Sequence, residues 1–161
     1  DNSCNLYSVY KKCFGNLINY YSKIFPSINF FNIMISDTFG ENDNRPKIIN
    51  ILKRNHKNNK ITKIISKNLF INLLNIKDII KAINIIIKKN IKADKYLIKN
   101  KVSYKIIDLI DSFNKNAERK LKIKWISNKI INEKIYPYKK LKGWIPKQSS
   151  KIDIIKIIHN K

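Results

Sequence analysis

A tyrosine stands four residues before a lysine near the beginning of the chain, within NLYSVYKKCFGNLINYY (residues 5–21). If this segment is a helix, positions i and i+4 lie on one face, so the phenol of Tyr7 and the ammonium of Lys11 are neighbours. An isolated tyrosine is a poor base at neutral pH, whereas a neighbouring ammonium favours its phenolate form. The pair therefore has the chemistry to exchange a proton with a substrate hydroxyl.

The same spacing is compatible with an ordinary exposed helical pair, because lysine is abundant in this chain. Tyr136 and Lys140 share the spacing, but Pro137 lies between them, and a proline inside a helix breaks it. The spacing alone therefore does not separate catalysis from chance.

The composition indicates one domain with a hydrophobic core and a large excess of positive charge. The chain has 161 residues, 43% of them hydrophobic, and a formal net charge of +23 at pH 7. Such a charge is typical of nucleic-acid-binding proteins, which favour arginine for base readout. Nearly all of the charge here is lysine, and the only arginines are Arg45, Arg54 and Arg119. Lysine, asparagine and isoleucine are abundant together, as A/T-rich codons produce in any protein. We therefore favour compositional bias and keep a small lysine-rich protein that binds RNA or DNA non-specifically as the alternative.

Metal binding and membrane insertion have no support in the sequence. Cys4, Cys13, His56 and His159 form no ligand pattern and no disulfide framework. No signal peptide is visible, and no apolar run reaches the roughly 20 residues needed to cross a bilayer. We expect a cytoplasmic protein with no metal site and no membrane partner.

The apolar periodicity predicts strands that alternate with helices, which is typical of the α/β class. Helices are predicted over residues 5–25, 46–54, 78–89, 102–115 and 150–158, the last with Ser149 or Ser150 as its cap. Strands are predicted over residues 28–36, 60–66, 69–76, 95–99 and 121–127, the first of them buried. DTFGENDNRPK, residues 37–47, is predicted to be a loop at the carboxyl end of that first strand.

The order of these motifs resembles that of the extended short-chain dehydrogenase/reductases that act on nucleotide sugars. In that family a YxxxK helix precedes a strand, an Asn- or Asp-containing loop with glycine, and an Arg-Pro pair. Here the matching residues are Asp37, Thr38, Phe39, Gly40, Arg45 and Pro46. Asp78 matches the second aspartate of a later Val-Asp-Asp-like step, and LKGWIPKQSS, residues 141–150, matches a closing Leu-Gly-Trp-x-Pro signature. DNRPK is most similar to the branch of CDP-sugar dehydratases and the abequose and paratose synthases.

The resemblance implies an NAD- or NADP-dependent epimerase, dehydratase or reductase that acts on a sugar carbon. Tyr7 would be the general acid/base, and Lys11 would favour its phenolate and hold the nicotinamide ribose, so both residues would bind the cofactor. Asp37, Thr38, Arg45 and Lys47 would line the nucleotide-sugar pocket, and the intact enzyme would be a possible homodimer. No specific nucleic-acid partner is implied.

The resemblance also implies that the chain corresponds to the carboxy-terminal half of such an enzyme. The family's glycine-rich βα turn for the dinucleotide pyrophosphate is absent, as is its catalytic Ser or Thr. Residues 1–40 would complete a Rossmann-type NAD(P)-binding fold. Residues 41–161 would form mainly a small α/β substrate-binding domain, with 69–90 returning to the Rossmann domain. A fragment without activity of its own is a further alternative.

Some positions depart from the family or have a simpler structural interpretation. Ile71 and Asn72 stand where many members carry Arg-Asp, so Arg45 or Lys47 would have to contact the diphosphate instead. Trp125 and Trp144 are interpreted as core aromatics, because each lies in an apolar context. Asp78 has two interpretations, a helix cap or a functional residue.

Overall fold

The computed structural model of the protein describes residues 5–89, 91–133 and 137–159. Helices and strands alternate along most of these ranges, which confirms the α/β class predicted from the sequence. The helices are α1 (Leu6–Ile24), α2 (Ile48–Lys57), α3 (Ile76–Lys88), α4 (Ile106–Asn116) and α5 (Lys151–His159). The strands are β1 (Asn32–Ile35), β2 (Asp37–Phe39), β3 (Thr62–Ser66), β4 (Phe70–Ile71), β5 (Leu73–Asn75), β6 (Lys95–Ile98), β7 (Tyr104–Lys105), β8 (Ile123–Ser127) and β9 (Lys139–Lys140).

Parallel pairing joins strands that are distant in the sequence. β6 pairs with β1 on one side and with β9 on the other, so that Ile33 lies beside Tyr96. β2 pairs with β5, and β3 pairs with β8, both in parallel, whereas the short β4 and β7 are antiparallel. The return of residues 69–90 to the first domain stays a prediction. β6, which follows that range in the sequence, pairs with β1.

The core is divided into two hydrophobic clusters, and β5 contributes to both. Leu73 belongs to the cluster built largely by α2, β3, α4 and α5, whereas Leu74 belongs to the cluster around α3 and β6. Successive residues of a strand point to opposite faces, so β5 holds the two clusters together. Both leucines are fully buried.

α1 lies at the surface with its apolar residues exposed. Asn5 begins the helix, since its side chain accepts a 2.9 Å hydrogen bond from the backbone N–H of Ser8. None of the 19 residues of α1 is buried. Its exposed large apolar side chains are Leu6, Tyr7, Val9, Tyr10, Phe14, Leu17, Tyr20, Tyr21 and Ile24.

Most predicted elements are present, with shifted ends. The first helix, the helix after Pro46, the α3 helix and the strands β3, β6 and β8 lie where the periodicity predicted them. α5 begins with a capping box, in which the Ser150 N–H donates to Asp153 Oδ2 and the Asp153 N–H donates to Ser150 Oγ. The predicted cap at Ser150 is therefore confirmed.

Four local predictions are wrong. The segment predicted as a loop from residue 37 begins with strand β2, because Phe39 is buried and the backbone of residues 37–39 pairs with β5. The predicted strand 69–76 is interrupted at Asn72, whose side chain contacts the backbone around Asn100. The helix predicted over 102–115 begins only at Ile106, after β7. The strand predicted as buried over 28–36 is limited to Asn32–Ile35 and is only half-buried.

No helix within the described residues is both long and apolar enough to span a membrane.

Candidate active site

The predicted catalytic pair lies on one face of α1. The Nζ atom of Lys11 is 5.6 Å from the centroid of the Tyr7 ring, as the i,i+4 spacing requires. Tyr7 is 70% exposed, so its phenol is accessible to a molecule that approaches the helix from solvent. An ammonium at this distance over a tyrosine ring is a cation–π contact, which keeps the two side chains together.

A shallow groove of about 460 Å³ runs along the same face of α1. Its lining combines the phenol and ammonium with apolar and aromatic side chains, namely Tyr7, Tyr10, Lys11, Cys13, Phe14 and Leu17. Apolar walls with a few polar groups at one end are typical of cofactor and ligand sites. Tyr136, which has the same spacing to Lys140, lies outside the described residues.

The four residues predicted to bind the substrate lie together around β2 and the following loop. Lys47 Nζ is 3.2 Å from Asp37 Oδ1, and Arg45 Nη2 donates to Thr38 Oγ1 at 2.8 Å. Both contacts join the loop to β2. Asp43, which sequence reasoning missed, completes the arrangement, and its position two residues before Arg45 was the available signal.

Arg45 and Asp43 form a bidentate ion pair. Arg45 Nε donates to Asp43 Oδ1 at 2.8 Å, and Nη2 donates to Oδ2 at 2.7 Å. The Arg45 guanidinium lowers the pKa of Asp43 from 3.8 to about 2, mainly through these hydrogen bonds, and Asp43 in turn raises the pKa of Arg45. Asp43 thus pairs with the guanidinium of Arg45, one of the two residues, with Lys47, that were expected to contact the substrate diphosphate.

A cavity of about 380 Å³ lies next to these residues. Asp37, Thr38 and Lys47 supply polar atoms at its wall, and Lys63 adds a second ammonium. The rest of the lining is apolar and comes from Pro46, Ile48, Ile49, Ile64, Ile65, Leu69, Phe70, Ile71 and Leu73. The cavity is therefore an apolar pocket with a cationic rim.

The catalytic pair and the cavity are separate features of the described surface. Neither Tyr7 nor Lys11 is among the described residues that line the cavity.

Gly40 lies at the end of β2, where a Cβ atom built on it would be 2.9 Å from Cγ2 of Ile76. Glycine at this position therefore allows the end of β2 to pack closely on the start of α3.

Asp78 is a buried carboxylate whose role the sequence left open between a cap and a functional residue. The cap of α3 is Asn75, whose side chain accepts from the Lys77 N–H at 2.9 Å. Asp78 instead accepts hydrogen bonds from the backbone of Lys147 and Gln148 and from the Ser149 hydroxyl, at 3.0, 2.7 and 2.7 Å. The cap interpretation is wrong, since the carboxylate fixes the segment 147–149 against α3.

The two tryptophans have the core positions expected of them. Trp125 packs against one hydrophobic cluster and Trp144 against the other. Trp144 Nε1 also donates to the carbonyl oxygen of Asp78 at 3.0 Å. Gly143, with φ of 74°, makes the turn before Trp144 without strain.

The described residues contain no group of three or more His, Cys, Asp and Glu side chains arranged to hold a metal ion.

Solved structures of several enzymes, among them a UDP-sugar epimerase and a dTDP-sugar dehydratase, match nearly the whole chain. UDP-glucuronic acid 4-epimerase from Bacillus cereus, in complex with UDP-glucuronic acid and NAD, has a TM-score of 0.75 and 18% identity, covering 94% of this chain and 52% of that one. dTDP-glucose 4,6-dehydratase from Bacillus anthracis, in complex with NAD, has a TM-score of 0.72 and 16% identity, covering 96% and 51%. RMD from Pseudomonas aeruginosa, complexed with NADPH, has a TM-score of 0.68 and 15% identity, covering 96% and 56%.

The chain has the fold of the carboxy-terminal part of these Rossmann-type enzymes. It spans about half the length of the structures that it matches. The resemblance predicted from the order of the motifs is confirmed at the level of the fold. No protein-family model and no curated protein matches the sequence.

Proposed function

We propose that the chain is the carboxy-terminal half of an NAD- or NADP-dependent enzyme that epimerises, dehydrates or reduces a nucleotide sugar. The observation that carries this proposal is the combination of the fold with the Tyr7–Lys11 pair. The structures that share the fold are nucleotide-sugar epimerases and dehydratases, several of them with NAD bound. The pair supplies the acid/base group that such reactions need at the sugar.

In this proposal Tyr7 removes or returns the proton of a sugar hydroxyl through its phenolic oxygen. Lys11 holds a positive charge beside the phenol, because its ammonium lies 5.6 Å from the centroid of the tyrosine ring. The residues of the α1 groove also suit the ribose end of a dinucleotide, since an ammonium and a phenol are hydrogen-bonding partners for a diol. The dinucleotide, when bound, supplies the hydride acceptor or donor. Apolar groove residues such as Phe14 would keep water away from that end.

The nucleotide and diphosphate of the substrate would bind near β2, and the sugar would have to extend from there to Tyr7, which does not line the cavity. Asp37, Thr38 and Lys47 lie at the wall of the 380 Å³ cavity, and their hydrogen-bonding groups suit sugar hydroxyls and a diphosphate. Lys47 is better placed than Arg45 to contact phosphate, because Lys47 has one 3.2 Å contact to Asp37, whereas Arg45 is held by Asp43 in a bidentate pair. Ile71 contributes an apolar wall at the position where the family resemblance implies an arginine, so the phosphate charge would be balanced by lysines.

The exposed apolar surface supports the view that the active enzyme has a further part that covers α1. Nine large apolar side chains are exposed on α1, and β1 has a paired strand on one side only within the described residues. Monomeric proteins rarely expose large contiguous apolar surfaces. A parallel α/β half that carries the glycine-rich dinucleotide-binding turn would cover both.

The experiment that tests the proposal is expression of this chain together with the coding sequence that precedes Asp1. The joined protein should retain NAD or NADP and convert a CDP-, UDP- or dTDP-linked sugar. A glycine-rich βα turn in that upstream sequence is the accompanying expectation. An upstream sequence without such a turn, together with absence of dinucleotide binding, would overturn the assignment.

The alternative of non-specific nucleic-acid binding is not favoured by the fold. A salt titration still separates the two, because affinity that depends on phosphate contacts falls steeply as salt concentration rises.

A further inference from the structure

The exposed face of the β3–β8 sheet combines lysines with isoleucines. In the register of the two strands Lys63 lies beside Lys124, and both side chains are exposed. The alternation of the strands turns Thr62, Ile64 and Ser66 inward. The exposed residues on the opposite side of the sheet form the basic face, namely Ile61, Lys63, Ile65, Lys122, Lys124 and Ile126.

No negative charge on these segments compensates the lysines. Residues 57–71 and 119–132 contain nine Lys and Arg residues and no Asp or Glu. Within the described residues, none of the three lysines of the basic face is in the salt bridges of the structure. Like charges directly opposite each other on neighbouring strands are destabilising, so the Lys63–Lys124 pair favours an external anion.

The isoleucines of the basic face are exposed, as are Ile80 and Ile87 on α3. The exposed fractions are 60% for Ile61, 56% for Ile65 and 66% for Ile126. A surface that combines exposed apolar side chains with lysines is complementary to the boundary of an anionic bilayer, where acyl chains and phosphates meet.

A nucleic acid is a poorer fit for the same surface. Proteins that bind single strands stack the bases on exposed aromatic side chains, and those that read bases favour arginine. The basic face contains no aromatic side chain and no arginine. Trp125 on β8 packs instead against the hydrophobic cluster on the inner side of the sheet. The exposed isoleucines would have no role against a phosphate backbone.

We propose that the basic face docks the protein onto the surface of a membrane that contains anionic lipids. The lysines contact lipid phosphates, and the isoleucines enter the headgroup region. This proposal departs from the expectation, stated from the sequence, of no membrane partner. That expectation rested on the absence of a long apolar segment, which argues only against crossing the bilayer and not against binding at its surface. Lys63 and Ile65 also line the 380 Å³ cavity, so the basic face adjoins the proposed substrate pocket. The inference does not depend on the proposed enzymatic activity.

Flotation with lipid vesicles tests this proposal, because vesicle-bound protein rises through a density gradient and aggregated protein does not. The chain should float with vesicles of phosphatidylcholine that contain about 30% phosphatidylserine at about 0.15 M salt, and not with phosphatidylcholine alone. Lys63→Gln with Lys124→Gln should lower the partition coefficient roughly 25-fold, from about fivefold for each lysine near the surface. Ile65→Ser with Ile126→Ser should weaken the binding that remains at high salt.

The matched control is Lys81→Gln with Lys88→Gln, which removes the same charge from exposed positions of α3. It should change the partition coefficient by less than about twofold, since these lysines lie off the basic face. An equal loss in both double variants would mean that total charge decides the binding, and it would overturn the proposal.

Two further results would also overturn it. Loss of flotation in Phe14→Ser with Leu17→Ser, without loss in the Lys63/Lys124 variant, would assign the binding to α1. Tighter binding to a short RNA or DNA duplex than to the vesicles, weakened by the same two lysine substitutions, would assign the face to nucleic acid.

Discussion

Asp78 and Ser149 are 71 positions apart in the sequence, and the Ser149 hydroxyl donates a 2.7 Å hydrogen bond to Oδ2 of Asp78. The Ser149 hydroxyl also accepts a hydrogen bond from the Asn75 N–H at 2.9 Å. The backbone carbonyl of Ser149 accepts one from the Asn100 side chain. Asp78, Ser149 and Asn100 are all buried. The closing segment of the chain is thus fastened to β5, α3 and the end of β6 through one polar network.

Replacing Asp78 by asparagine should destabilise the fold strongly. The amide keeps the shape of the carboxylate, but its NH₂ group would face N–H and O–H donors. Leaving buried donors without a charged acceptor should lower the free energy of unfolding by about 3 kcal/mol. Urea denaturation followed by the fluorescence of the two tryptophans measures the loss. Asp108→Asn, in the first turn of α4 and exposed, is the control and should cost about 0.5 kcal/mol or less.

Replacing Tyr7 by phenylalanine in the complete enzyme should abolish most of the turnover and leave the fold intact. The ring is retained, but the group proposed to move the substrate proton is lost, and such catalysis is worth about 10²–10⁴-fold in kcat. Tyr10→Phe is the matched control, since Tyr10 lines the same groove. Equal losses in both variants, or near-normal turnover of Tyr7→Phe, would show that the assignment of Tyr7 is wrong.

Replacing Lys11 by methionine should impair the enzyme by two routes. The phenolate of Tyr7 would lose its neighbouring charge, and the cofactor would lose a contact to its ribose. The cofactor Kd should therefore rise in Lys11→Met and stay unchanged in Tyr7→Phe, as measured by titration of both variants with NAD and NADP. Unchanged cofactor binding in Lys11→Met would show that Lys11 does not contact the cofactor ribose.

The ion pair between Asp43 and Arg45 should make a contribution to stability that depends on pH. Because the pKa of Asp43 is lowered from 3.8 to about 2 in the folded protein, this contribution is fully present above pH 3.8 and is lost as pH falls through 2. A carboxyl NMR titration should give the low pKa directly. Arg45→Gln should return the pKa of Asp43 toward 3.8, whereas Arg54→Gln, exposed on α2, should not change it.

Gly40→Ala should destabilise the end of β2. The new Cβ would lie 2.9 Å from Cγ2 of Ile76, a branched position that cannot rotate away freely, so we expect a loss of about 1–3 kcal/mol. Ile76→Leu removes that γ-methyl group, and the double variant should recover most of the loss in a thermal or urea melt. A double variant no more stable than Gly40→Ala would exclude this contact as the cause.

The chain alone should associate or bind hydrophobic dyes through α1 and the free edge of β1. Exposed apolar surface and an unpaired strand edge both favour aggregation. Size-exclusion chromatography over a range of concentrations, with dye fluorescence, measures this tendency, and supplying the proposed upstream half should suppress it. A sharp cooperative melt from a dye-negative monomer would contradict the need for a second half.

The sequence by itself determined the elements with strong periodicity and the pairs that are close along the chain. α1 and α3 follow from their apolar spacing, and the neighbouring positions of Tyr7 and Lys11 follow from the 3.6-residue period of a helix. The order of the motifs was sufficient to predict the fold through the resemblance to nucleotide-sugar enzymes. Contacts of this kind depend on local geometry, which the residue types largely set.

Only the tertiary structure decided the contacts between distant segments. The pairing of β2 with β5 turned part of a polar, loop-like segment into a strand, since Phe39 gains burial there that the local sequence does not reveal. The sequence left Asp78 open between a helix cap and a functional residue, whereas the structure shows that its carboxylate accepts hydrogen bonds from residues 147–149. The juxtaposition of Lys63 and Lys124 likewise depends on the register of two strands about 60 residues apart. Backbone pairing and burial across such separations depend on the whole fold, because no local preference fixes which distant strand will be the partner.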